Sequence, residues 1–367
     1  MVASPPLTPT ARRTDALACA NSIFEQPWWL DGVAPGRWSA AVIRRGDEVA
    51  ARLPFVRRRR AGLTAIVQPD LTQTLGPWLA PLDGKYARRL ETEKKLLGQI
   101  IGMLPPVDLF RMNFSPALTN WLPFYWAGFE ASVRYTYRLD DLSDLDRLRD
   151  EFQDHVRRGI RRAERVVEVV HDHPLEPVLR LNAATFARQG RRPPFSDDLV
   201  RRLDAACASR GARRILAAVD ARGRTHAVLY LVWDARTLYP IINARDADVQ
   251  TYGANALLYW EAIRFASTVS RTFDFEGSML EPIEHFVRGF GGRQTPYFCV
   301  WKAGPKAKAA LAARSAARRL GRSGLGARLL RPAARPARAA LRGRSTGSAR
   351  RWRLPAQARP RRARSPR

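Results

Sequence analysis

Two carboxylates two residues apart, Asp274 and Glu276, alternate with Phe273 and Phe275 in the stretch from Thr272 to Gly277. Residues so spaced on a strand project to one face, which predicts an apolar face for the core and an acidic face for chemistry. Neighbouring carboxylates repel, raising the pKa of one of them, as a general base working near neutral pH requires. Glu276 is nearer the strand end, where ligands bind in open sheets, and is the first candidate for the base, ahead of Asp274. A structural role for both, tying down Arg271 or Arg288, is the competing reading.

Upstream, an apolar strand from Leu238 to Asn243 runs through a polar loop into Gly253-Ala254-Asn255. A helix follows, with Leu258, Ala262, Phe265 and Val269 at spacings of four, three and four. Asn255 is the expected N-cap, and Gly253 lets the backbone come close to a ligand. The free N–H groups of the first turn would then face an anion such as a pyrophosphate. A strand-to-helix turn that binds nothing is the alternative.

The remaining elements must hold these two features together. Trp38 to Ile43 and Val49 to Phe55 read as a hairpin, followed by strand 63–67, helix 86–104, strand 107–114 and a strand from Phe129 to Leu139. Ser143 opens a capping box, and Leu145, Leu148, Phe152, Val156, Ile160 and Ala163 form one helical stripe. Its other faces carry Arg157, Arg158, Arg161, Arg162 and Arg165, either to contact an anion or as a solvated face. Strand 166–170, helices 176–189 and 196–209 and a three-stranded meander over 215–243 lead into the anion-binding turn. Glu281-Pro282 starts the last helix of the body, with Ile283, Phe286, Val287 and Phe290 in helical register.

Of 63 Lys and Arg against 34 acidic residues, 20 lie between Gly304 and Arg367, which has no acidic residue. The high net charge of +29 is therefore largely a property of that tail. It can be a disordered solvated tail or a contact for the phosphates of RNA or an anionic membrane surface. Three scattered cysteines form no disulfide framework or metal spacing. His171-Asp172-His173 reads as a strand end, so no metal is expected. No signal peptide or apolar run of membrane-spanning length is present, and the expected location is cytoplasmic, at most peripheral to the inner membrane face.

The strings FDFEGSM, IEHFVRGFGG and PYF, between Phe273 and Phe298, resemble the GNAT-type acyltransferase domain of the Fem-like group, which includes the aminoacyltransferases of peptidoglycan cross-bridges. IFEQPWW from Ile23, LPFVRRR from Leu53, LTQTLGPW from Leu71, RRGIRRAER from Arg157 and TFARQG from Thr185 extend the likeness over about residues 20 to 303. The resemblance implies an α/β (α+β) protein of two tandem GNAT-like domains, 15–140 and 141–303, with mixed, mostly antiparallel sheets. A disordered N-terminus, 1–14, and a disordered basic tail, 304–367, flank them. It implies acyl-CoA as co-substrate, held by Asn243, Gln250, Thr251, Gly253, Ala254 and Asn255. Gln250 and Gly253 fit the GNAT turn pattern, while Asn255 stands where a small residue is usual. Arg188 and Gln189 would reach an acceptor amine, which can be a small molecule or a peptidoglycan precursor. Aminoacyl-tRNA is the alternative donor, and a non-catalytic phosphate-binding module is the alternative outside enzymes.

Overall fold

The computed structural model describes residues 19–249, 251–277 and 279–322, with no account of the side chains of 314–322. The described residues up to Ala312 make one compact unit. Twelve strands form one mixed sheet: β1 (Trp38–Arg45), β2 (Glu48–Arg60), β3 (Leu63–Val67), β4 (Trp78–Leu79), β5 (Leu109–Asn113), β6 (Glu130–Leu139), β7 (Val167–His171), β8 (Arg213–Asp220), β9 (Thr225–Trp233), β10 (Thr237–Arg245), β11 (Thr272–Asp274) and β12 (Arg293–Ala303). Their order is β1-β2-β3-β5-β12-β6-β11-β10-β9-β8-β7, with β4 on β2. Among the described residues, only β3–β5 and β10–β11 run parallel. The mixed, mostly antiparallel α/β architecture expected from the sequence is the one observed. The last strand, β12, lies between β5 and β6, so one sheet runs through residues on both sides of 140.

The described residues contain ten α-helices: α1 (Pro27–Val33), α2 (Tyr86–Met103), α3 (Leu122–Trp126), α4 (Leu145–Asp150), α5 (Asp154–Ala163), α6 (Leu175–Arg188), α7 (Asp197–Ala208), α8 (Ala254–Val269), α9 (Glu281–Arg288) and α10 (Pro305–Arg322). Alternate residues of β8 and β9 enter different cores. Ile215, Ala217, Val228 and Tyr230 join Trp29, Leu179 and Leu203 of α1, α6 and α7. Leu216, Ala218, Leu229 and Leu231 join Val156, Leu258 and Val287 of α5, α8 and α9. Strands covered on both faces need such unbroken apolar runs.

Two expectations need correction. The stripe from Leu145 to Ala163 is two helices, interrupted because the Gln153 N–H donates to the carbonyl of Gly289 at 2.9 Å. Asp144, not Ser143, caps the first, accepting from the Arg147 N–H at 2.9 Å, while Ser143 is held by Asp141. The N-terminal Pro/Ser-rich stretch 1–14 and residues 323–367 of the tail lie outside the described residues. Within the basic tail, Pro305–Arg322 form α10.

Glu25, from IFEQPWW, is fully buried at the seam where the first half is tied together. Its carboxyl accepts from Asn21 N, Asn21 Nδ2 and Gly76 N at 2.8–3.0 Å, and Arg52 donates to the Glu25 carbonyl at 2.8 Å. Burial raises its pKa against those donors. Glu25→Ala strands the buried Gly76 N–H and the half-buried Asn21 N–H, while Asn21 Nδ2 keeps the Pro77 carbonyl, so urea unfolding should show a loss of about 2 kcal/mol; a loss below 1 kcal/mol would mean the network is solvated.

Candidate active site

β10 and β11 pair only at Thr237↔Thr272 and Leu238↔Phe273. From Tyr239 and Asp274 onward these two parallel strands separate, and β10 carries a bulge between Pro240 and Ile242 in its pairing with β9. Proline donates no ladder bond, and bulges concentrate beside active sites. The gap between the strands is the candidate centre of the site, and a cavity lies at the N-terminus of α8, the helix that follows β10.

Gly253, at φ +89°, is the N-cap residue of α8 and supplies no side-chain cap. Asn255 is therefore the second helical residue and not the N-cap the sequence suggested; a left-handed residue is needed where the loop turns into the helix, and glycine takes that conformation freely. The Leu257 N–H is used by the Gly253 carbonyl, but those of Asn255 and Ala256 have no backbone partner among the described residues. They open on a cavity of about 410 Å³ lined by Thr251, Gly253, Asn255, Arg162, Arg245 and His155, among others. Asn255 Oδ1 is buried without a partner. Half a turn of that amide presents Nδ2 instead, so the side chain can donate to an anion. Unused helix N–H groups, two guanidiniums and a donor amide fit a pyrophosphate.

The loop before α8 is fixed at both ends by His226. Its carbonyl accepts from the Asp246 N–H at 2.9 Å, its Nδ1 meets Thr251 Oγ1 at 2.7 Å, and its Nε2 meets Asp220 Oδ2 at 3.0 Å. His155, on α5, stacks on His285 of α9 with ring centroids 5.2 Å apart. Burial first, then His285 and the nearby arginines, lower the His155 pKa, leaving a neutral ring in the cavity wall.

The two carboxylates do not share a strand face. β11 stops at Asp274, and Glu276 adopts a left-handed backbone, φ +59°, with Gly277 at φ +56° behind it. A Cβ on Gly277 would lie 2.2 Å from the Tyr135 carbonyl, so the chain must turn there over a bare glycine. A left-handed non-glycine costs of order 1–3 kcal/mol and marks functional sites. Asp274 holds the turn: its Oδ1 accepts from the Glu276 N–H at 2.8 Å, from Thr136 Oγ1 at 2.5 Å and from Gln73 Nε2 at 3.4 Å. Burial raises the Asp274 pKa. Burial and then the charge of Asp274 push the Glu276 carboxyl up to about 8. Burial raises the pKa of both Tyr259, on α8, and Tyr297, on β12, and the charge of Glu276 adds a smaller push to each. The Tyr259 ring stacks on Phe275 at 5.8 Å, and its phenol is hydrogen-bonded to Asn243.

Of the residues expected to hold the donor, Thr251, Gly253, Ala254 and Asn255 line one cavity, Asn243 bonds Tyr259, and Gln250 lies outside the described residues. Arg188 and Gln189 line neither this cavity nor the gap. Arg188 instead donates to the Arg245 carbonyl at 3.3 Å. Sequence reasoning missed Gly159, His226 and Tyr259. Gly159 had a signal: a lone glycine in an arginine-rich helix costs about 1 kcal/mol relative to alanine and asks for a packing reason. That reason is Gly253, whose backbone it meets. His226 and Tyr259 become visible only when β9 and α8 are brought beside the loop.

Residues 150–281 match the model of the acetyltransferase (GNAT) domain. No curated relative matches the sequence. Among solved structures, FemX is similar with a TM-score of 0.57 at 11% identity over 80% of this chain and 96% of that one. The C-terminal domain of a putative lysylphosphatidylglycerol synthetase from Agrobacterium fabrum gives a TM-score of 0.51 at 14% identity, covering 83% of this chain and 94% of that one. Residues 150–281 thus carry the match to a GNAT domain. The fold in which that segment is set is similar to that of FemX.

Proposed function

We propose that this protein is an N-acyltransferase that moves an acyl group from acyl-CoA to an amine. The observation that carries the reading is the strand gap with the raised carboxyl of Glu276 at one end and the open N-terminus of α8 at the other. Asn255, Ala256, Arg162 and Arg245 would hold the pyrophosphate, and the gap between β10 and β11 would take the thioester arm. The amine lone pair attacks the thioester carbonyl, forming the C–N bond; the C–S bond breaks and the thiolate leaves. Glu276, ionised, takes the proton released by the nitrogen, and the thiolate is protonated on departure. Asp274 positions Glu276 through its backbone N–H. Alignment of the two reactants alone can supply about 7–11 kcal/mol.

Coenzyme A at a hundred times its Kd should stabilise the protein by about 2.7 kcal/mol, read as a rise in Tm. No rise at any concentration removes acyl-CoA as donor. The second reading, an aminoacyl-tRNA donor, is favoured by the α5 arginines: Arg162 lines the cavity and lies over the Tyr252 ring at 5.8 Å. Charged-tRNA binding that survives deletion of 323–367, together with absence of coenzyme A binding, would establish it. No helix among the described residues is long and apolar enough to cross a membrane, and the proposed setting is the cytoplasm, with acceptors that include peptidoglycan precursors.

A further inference from the structure

The sheet face turned away from α8 carries a second cavity, of about 460 Å³, that the proposed donor does not use. Its floor includes Arg293 of β12, Arg138 of β6, Asp274 of β11 and Thr237 of β10. The pairings Arg293↔Arg138, Asp274↔Arg138 and Thr237↔Thr272 put these side chains on one face. Phe273 and Leu238, one residue along, belong to the core under α8 on the other face. Arg236 and Arg271 also line the space, and Ser22 and Gln73 close it from the first half of the chain.

Four guanidiniums thus meet a single lining carboxylate. Arg138 and Arg293 are directly opposed across two strands, where like charges destabilise. Asp140 takes one edge of each, at 3.3 Å from Arg138 Nε and 3.0 Å from Arg293 Nε, and one carboxylate cannot neutralise both. Arg236 donates to the Ala20 main-chain carbonyl, which leaves its charge in place. Arg271 makes no ion pair among the described residues. Ser22, only 4% exposed, has a buried hydroxyl without a partner. An uncompensated cluster of forked donors with a spare hydroxyl is matched by a carboxylate or a phosphate.

Tyr239 and Asp274 stand where β10 and β11 part, and both line this cavity. It therefore opens where the two strands part, two residues before Glu276, on the sheet face opposite to the α8 core. On the reading of acyl transfer at Glu276, we propose that the arginine-lined cavity binds an anionic group on the acceptor, so that the acceptor is a zwitterion, an amine bearing a carboxylate or a phosphate.

The test uses the full chain with acetyl-CoA and matched amines: phosphoethanolamine against ethanolamine, and β-alanine against propylamine. The anionic member of at least one pair should show a kcat/KM at least tenfold higher, and Arg271→Ala should collapse that preference; the pair affected tells phosphate from carboxylate. Inorganic phosphate and acetate are titrated in parallel by calorimetry, with saturable binding expected for the preferred anion and lost in Arg271→Ala. Equal use of charged and neutral amines, or anion binding untouched by Arg271→Ala, overturns the inference and leaves acyl transfer standing. Anion binding lost in Arg271→Ala with no amine acylated supports the anion site and removes the acyl-transfer reading instead.

Discussion

Glu276→Gln should lower kcat by about a hundredfold or more, the usual worth of a positioned general base. The amide keeps the shape of the side chain and cannot accept the proton, so donor binding should persist while turnover falls. The pH profile gives a second readout. With a carboxyl pushed up to about 8, only the minority ionised form works at pH 7, and the rate should climb as pH rises through that value. The variant should lose this limb. Stability must move the other way. Glu276 ordinarily titrates at 4.5, and its folded value is raised, so between about 4.5 and 8 the folded state holds a proton that the unfolded state has lost. Stability is fully present below 4.5 and declines as pH rises through 8. Glu276→Gln, which cannot ionise, should therefore be more stable than the parent at pH 9 by on the order of 5 kcal/mol, with little difference at pH 5. A variant with full turnover, or one whose stability tracks the parent at both pH values, would dismiss Glu276 as the base.

The order of elements was readable from periodicity because each depends on local spacing. Leu258, Ala262, Phe265 and Val269 marked α8, and Ser196 marked the start of α7, where it accepts from the Leu199 N–H. What could not be read depends on contacts far apart in the chain. The paired face of Asp274 and Glu276 was expected from alternation, but the backbone leaves the strand at Glu276 because Gly277 must pass the Tyr135 carbonyl. The insertion of β12 between β5 and β6 sets Arg293 opposite Arg138, and nothing in either strand alone announces that pairing. The cavity proposed for the donor was partly legible because Thr251 to Asn255, which form part of its lining, run consecutively. The arginine-lined cavity draws on residues from Ser22 to Arg293 and was not.

Gly253→Ala should be among the most damaging single substitutions available outside the cores. An added Cβ would stand 2.0 Å from the Gly159 carbonyl oxygen and 2.7 Å from its Cα, both backbone atoms on α5. Neither can swing away as a side-chain end would, so α5 and α8 must separate. Overpacking of this kind costs about 1–3 kcal/mol, and an alanine at φ +89° adds about 1–2 kcal/mol. Gly223→Ala separates the two contributions: that hairpin glycine has φ +75° with nothing within 4 Å of its Cβ, so it should lose only the conformational part. Gly159→Ala should cost less than Gly253→Ala, since its Cβ would lie 3.3 Å from Gly253 Cα and alanine regains about 1 kcal/mol in a helix interior. Urea unfolding of the three variants should place Gly253→Ala as the most damaging, ahead of Gly159→Ala and Gly223→Ala. Coenzyme A binding should weaken in the first two, because the separation of α5 from α8 carries Arg162 away from the free N–H groups of Asn255 and Ala256. If Gly253→Ala is no worse than Gly223→Ala, the two helices do not meet through their glycines and the donor cavity lacks the wall on which its anion site depends.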